Sequence, residues 1–302
     1  VGFAWVPITL LAAASQAVRT ALQRYLKGPL STNGAAFTRF LFGLPLAALY
    51  LAMLLASGAH LPAPESTFWF WVITASVSQI VATSLQIHVM SQRNFATAVA
   101  YAKTEVVQAA IFEVVFLGAV VTWLGALGIA LGTMAVMLMS LIKTARPMRA
   151  FLLGWTEPTA LLGLLAGGLF GVAAVGFRGA SVSLHHPSAF VAAAFTLVVA
   201  TSVQTAIMGA FLAWREAGEL RRVVGRARAG ALVGFTSFLG SASWFTAFTL
   251  QVAAYVRTLG LVELAFTLLI SLYAFGERPR RVEVMGLALL VISIALVLNG
   301  GR

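Results

Sequence analysis

Lys103 and Glu105 stand in AVAYAKTEVVQ, residues 98–108, inside a long apolar run. Residues two apart on a helix point about 200° apart, so these charges cannot pair with each other. Each must meet water, a small molecule or another helix, because a charge in apolar surroundings is costly. One reading is a buried interhelical ion pair, Lys103 with Glu263 or Arg257 with Glu105. A second is contact with a charged solute in a wet cavity. A third is snorkelling to an interface. Glu105, Glu263 and His88 are candidate proton carriers.

Other polar residues fall at helical spacing. Tyr101, Glu105, Gln108 and Phe112 share one face. Ser76, Gln79, Thr83 and Gln86 share another, with Ser84 and His88 beside it. Ser237, Ser241, Trp244 and Phe248 form a third stripe, and Gln16, Arg19 and Gln23 a fourth. In lipid such stripes must face protein or a wet cavity. Hydroxyls there often bond back to their own helix and carry little functional weight. The amides have two readings: interhelical hydrogen bonds, or a cavity lining able to hold an ammonium and a carboxylate. Tyr101, Trp244, Phe248 and Tyr255 would supply its flat apolar wall, packing being the alternative for each. Trp69, Trp71 and Trp123 lie near segment ends and read as an interfacial belt.

Several chemistries are excluded by residue type. The chain has no cysteine and no aspartate; all nine acids are Glu. Disulfides, thiolate metal sites and aspartyl dyads therefore drop out. No phosphate-binding GxxxxGK[ST] loop occurs. No metal or cofactor is expected. The net charge of +11 belongs to short loops rather than to a nucleic-acid surface.

The elements that position these residues are apolar helices. The sequence is 60% hydrophobic and 10% charged over 302 residues, with mean hydropathy +0.95. That composition cannot coat a soluble domain. Ten apolar segments are expected near 4–26, 32–57, 67–91, 95–117, 120–142, 157–178, 187–213, 229–248, 252–275 and 282–299. The first reads as a retained helix rather than a cleaved leader. Lys and Arg crowd the loops after segments 1, 3, 5, 7 and 9. The loops after 2, 4 and 8 have none, and the loop after 6 has Arg178 alone. The positive-inside rule then places both termini outside the cytoplasm.

The chain also repeats itself. AVAYAKT (98–104) matches VAAYVRT (252–258) at an offset of 154, and from Glu105 a second register at 158 aligns Glu105 with Glu263. The registers differ by about one helical turn. The halves are residues 1–145 and 146–302, five segments each. An odd number inverts the second half in the membrane, the arrangement of many secondary transporters. The expected fold is an all-α polytopic membrane protein of ten transmembrane helices, as two inverted five-helix repeats around a central cavity. Gly163, Gly167 and Gly171, with Gly128 and Gly132, are expected to bring helices close.

Two stretches carry a family resemblance: KTEVVQAAIFEVVFLGA (103–119) and LVELAFTLLISLYAFGERPRRVEVMGLALL (261–290). With five plus five helices, a Glu in the fourth of each half and Arg39 early in the second, the chain resembles the drug/metabolite transporter superfamily, specifically its EamA-type members. Among these it is most similar to the YddG-type exporters, which favour aromatic amino acids. The resemblance implies export of amino acids across a bacterial inner membrane, without a cofactor and without a required oligomer. It departs from the family in lacking Pro after the fourth-helix Glu, where Val106 and Leu264 stand. Less kinked helices are expected there. Many members also keep their termini in the cytoplasm, opposite to the charge bias.

The expected substrate-binding set is Gln79, Gln86, His88, Tyr101, Glu105, Gln108, Ser241, Trp244 and Tyr255, with Lys103, Arg257 and Glu263 as coupling or charge-pair residues. The alternatives are an intramembrane enzyme, which would need Ser84–His88 or Glu–His chemistry, and a channel or lipid-handling protein.

Overall fold

The computed structural model describes residues 2–26, 30–90, 101–141, 158–266, 268–269 and 281–301. Among the described residues the regular structure is all helical. The helices are α1 (Trp5–Leu26), α2 (Thr32–Leu41), α3 (Leu44–Ala56), α4 (Ser66–Met90), α5 (Glu105–Leu117), α6 (Trp123–Leu141), α7 (Pro158–Ser183), α8 (Ala189–Arg215), α9 (Ala217–Gly225), α10 (Ala227–Leu250), α11 (Ala253–Gly260) and α12 (Arg281–Gly300).

Seven spans among the described residues are long and apolar enough to cross a membrane: 33–56, 66–86, 123–140, 160–183, 189–215, 227–250 and 282–300. The fourth and ninth expected segments fall partly outside the described residues. Burial follows the membrane pattern. Leu49, Val115, Trp123 and Val291 are exposed, while Thr38, Thr258 and Ser293 are fully buried and hydrogen-bonded. Where lipid replaces water, apolar side chains can face outward and polar ones must find protein partners.

The chain gathers into two compact units. Unit 1 holds Phe3–Val77 and Gly176–Leu250; unit 2 holds Ser78–Val175 and Gln251–Arg302. Each unit draws helices from both sequence halves, and α4 and α7 contribute to both units.

In unit 1, α1 packs along α10, and α8 packs against α2, α3 and α10. The second apolar segment is interrupted at Phe42–Gly43, and Pro45 opens α3. Pro suits a first turn because its missing N–H would be unpaired there. In unit 2, α6 packs along α12, and α11 packs against α5, α6 and α12. Close approach depends on small residues. A Cβ at Gly128 would lie 2.8 Å from Val297 on α12, and one at Gly167 would lie 2.7 Å from the Ala102 carbonyl.

Near Glu105 and Glu263, where less kinked helices are expected, the helices are interrupted. Turns interrupt both segments, at 103–104 and at 261–262. The two turns are 158 residues apart, as are the glutamates that follow them. No proline is needed. The Thr104 N–H bonds back three residues to Tyr101 O, and Leu261 and Val262 bond three back to Thr258 and Leu259. The Thr104 hydroxyl also donates to Tyr101 O at 2.6 Å. Three-residue backbone bonds and a back-bonding threonine tighten the chain at these interruptions.

Candidate functional site

The interrupted helices of unit 2 carry its central charges. Glu105 sits in the first turn of α5 and Arg257 in the last turn of α11. Each charge suits the partial charge of its helix end. Arg257 Nε lies 3.8 Å from Glu105 Oε1, and the side chains are 15% and 13% exposed. The structure therefore forms the Arg257–Glu105 pair expected from the sequence. Lys103 is half-buried on the turn before α5, and Glu263 is half-buried just after the turn that follows α11.

Glu113 holds the other end of α11. It is completely buried. Oε1 accepts the Ala253 N–H at 2.9 Å and Oε2 accepts the Ala254 N–H at 3.1 Å. These are the first two residues of α11, whose N–H groups have no partner within the helix. The carboxylate therefore caps α11 from a neighbouring helix. Sequence reading assigned no role to Glu113. The available signal was a third unexplained charge in an apolar run, eight residues after Glu105 and within 80° of its face.

Other expected site residues of unit 2 are held by protein contacts. Tyr101 is wholly buried with Met137 and Ala160, and Leu164 packs against this cluster. Gln108 Nε2 donates to Thr104 Oγ1 at 2.8 Å and to Leu164 O at 3.3 Å. It thus ties α5 to α7. Tyr255 is 2% exposed, and its hydroxyl accepts the Thr122 N–H at 3.0 Å. On α4, Gln79 and Gln86 are half-buried and His88 is exposed.

Unit 1 holds Trp244 and Ser241. Trp244 Nε1 donates to Gln16 Oε1 at 3.1 Å. Its ring stacks on Phe248 with centroids 5.6 Å apart and planes at 25°. Ser241 is half-buried one turn earlier. Arg178, counted by sequence as a loop charge, lies inside α7 instead. Nη1 donates to the Phe248 carbonyl at 2.5 Å, near the end of α10. An arginine reaching unpaired carbonyls at a helix end is favourable. With Arg178 in the helix, the loop from Leu184 to Ser188 has no Lys or Arg.

Where α8 meets α9, Glu216 accepts from Ser31 Oγ at 2.6 Å and from Asn33 Nδ2 at 2.8 Å. These hydrogen bonds, Ser31's first, hold its carboxyl below the ordinary glutamate range. Glu219, 3% exposed, accepts the Ser31 N–H and an Arg222 Nη1 hydrogen bond at 3.0 Å. Sequence reading counted neither α9 nor these acids, although AGELRRVVG has the spacing of a short amphipathic helix.

Apolar spans, inward-turned polar groups and interrupted helices beside opposite charges define a polytopic α-helical membrane protein. The model of the EamA-like transporter family matches residues 3–141 and again 158–299. The chain belongs to that family, and it is a membrane transporter. A solved crystal structure is similar to it with a TM-score of 0.68 and 14% identity, covering 99% of each chain. At that identity the likeness shows the fold. No curated protein matches the sequence.

Proposed function

We propose that this transporter exports amino acids, aromatic and other apolar ones, across a bacterial inner membrane by alternating access, as the YddG-type exporters do. The observation that carries this reading is the Glu105–Arg257 pair beside matched helix interruptions. At 3.8 Å it is longer than a charge-assisted hydrogen bond of about 2.7–2.9 Å. An amino acid carries one ammonium and one carboxylate. Inserted at the pair, its ammonium meets Glu105 and its carboxylate meets Arg257. One ion pair is exchanged for two, so no charge is stranded at membrane depth. Interrupted helices at the binding site are a recurring transporter device, because the half-helices can hinge.

Gln79 and Gln86 supply further hydrogen-bonding groups on α4. Tyr101, Gln108 and Tyr255 act by holding the half-helices in place. In unit 1, Trp244 and Ser241 offer an aromatic face and a hydroxyl. Glu105, Glu263 and His88 are the residues proposed to carry a proton, with Lys103, Arg257 and Glu263 as coupling or charge-pair residues. The charge bias orients both termini outside the cytoplasm.

Proteoliposome uptake and counterflow with labelled amino acids, with and without a pH gradient, tests this reading. Trans-acceleration by phenylalanine, tryptophan or leucine is expected. Flux without trans-acceleration would make the protein a channel, and no flux of any amino acid would refute the substrate class.

A further inference from the structure

Residues 215–228 carry five arginines and two glutamates, and the fold separates the two signs. All four carboxylate oxygens of Glu216 and Glu219 accept hydrogen bonds: three from Ser31 and Asn33 near the start of α2, the fourth from Arg222. Glu219 and Val223 form the buried face of α9. Arg215, Arg221, Arg222, Arg226 and Arg228 are all exposed. Arg222 is 66% exposed even while it contacts Glu219. The outward charge is therefore entirely positive.

Apolar groups sit within this basic surface. Trp214 is 78% exposed and Val224 63%. The Arg215 guanidinium lies 4.9 Å from the Trp214 ring centroid. The span before α9 ends at Arg215 and the next begins at Ala227, so connectivity puts this stretch at a membrane boundary. The adjoining hollow of about 290 Å³ is lined by Ser31, Glu216, Ala217, Gly218, Glu219 and Arg222. Its two acids already have their donors, and its one cation, Arg222, belongs to the exposed arginine set.

We propose that α9 and its flanks form a docking surface for anionic phospholipid headgroups. The arginines meet the phosphates, while Trp214 and Val224 enter the headgroup–acyl boundary. The occupant is a lipid because exposed arginines and exposed apolar side chains are interleaved along one stretch at a membrane boundary. Since the inner side of α9 caps α2, a bound headgroup steadies unit 1 through that contact. This inference does not depend on which solute is carried.

The test is thermal unfolding of the full chain in detergent, with phosphatidylglycerol or phosphatidylcholine titrated in. Phosphatidylglycerol is expected to raise the midpoint at a lower mole fraction than phosphatidylcholine. The triple variant R221Q/R226Q/R228Q should match the parent without lipid. Its half-saturating phosphatidylglycerol fraction should rise roughly tenfold or more, given the contribution of each basic side chain at a charged surface. The triple lysine variant should keep the response, and K143Q/R146Q/R149Q, in another basic stretch of the sequence, should change it little.

Equal responses to the two lipids would overturn the proposal. So would a glutamine triple that titrates like the parent, or a control triple equally impaired. Soluble glycerol phosphate producing the same shift would overturn it too, since no lipid surface would then be needed. Should the glutamine triple not fold, R226Q and R228Q are titrated singly, and two unshifted titrations would also overturn it.

Discussion

Replacing Glu113 separates capping from mere presence in an apolar run. Its two oxygens accept the Ala253 and Ala254 N–H groups at 2.9 and 3.1 Å, with no water-accessible surface on the residue. Glu113→Gln keeps the shape and one acceptor oxygen but turns an amide NH2 toward the other donor. The loss is then one hydrogen bond to a charged group, about 1.5–3 kcal/mol. Glu113→Ala leaves both donors unpaired at about 1–3 kcal/mol each, so roughly 2–6 kcal/mol in total. A cavity contribution adds to this. The order of stability should be parent, then Gln, then Ala. Thermal unfolding in one detergent gives that order. Hydrogen exchange at Ala253 and Ala254 localises the effect, which should be larger there than elsewhere in α11. If Glu113→Gln matches the parent in stability and in exchange at those two amides, Glu113 does not hold the start of α11 and the capping argument fails.

Glu105→Gln should sharply reduce transport under conditions where the variant is still fully folded, whereas flux that falls only in step with the folded fraction would make the Arg257 pair structural only. Trp244→Ala should weaken transport of large apolar amino acids more than small ones, and a uniform loss in a folded protein would point to packing through Gln16 and Phe248. Glu216 ionises more readily folded than unfolded, so its contribution is present above the unfolded pKa and fades as pH falls through the lowered folded value. The midpoint difference between the parent and Glu216→Gln should therefore shrink on acidification below the ordinary glutamate range; a difference that grows there would contradict the assignment. A reporter active only in the cytoplasm should be silent after Arg302 and active near Arg222, and the reverse would place the termini inside.

Composition and short-range pattern were enough for much of the architecture. A run of about 20 apolar residues is stable across a bilayer wherever its neighbours lie. The apolar segments, their breakers and the all-helical membrane class are thus local properties. The match of Glu105 to Glu263 was also legible, and the turns 158 residues apart fall in its register. What local pattern could not supply was the partner of each polar group. Gln108 looked like a cavity amide, but tertiary packing ties it to Thr104 and to α7. Missing prolines suggested straighter helices, but short backbone bonds made the turns. Glu113 had no visible role until the start of α11 arrived beside it. In 215–228 the sequence showed mixed charge; docking of α9 on Ser31 and Asn33 turned both acids inward and left the arginines outside. Hydropathy sums over a segment without regard to direction. A hydrogen bond requires two groups from distant parts of the chain to meet within about 3 Å, and only the packed helices decide which groups those are.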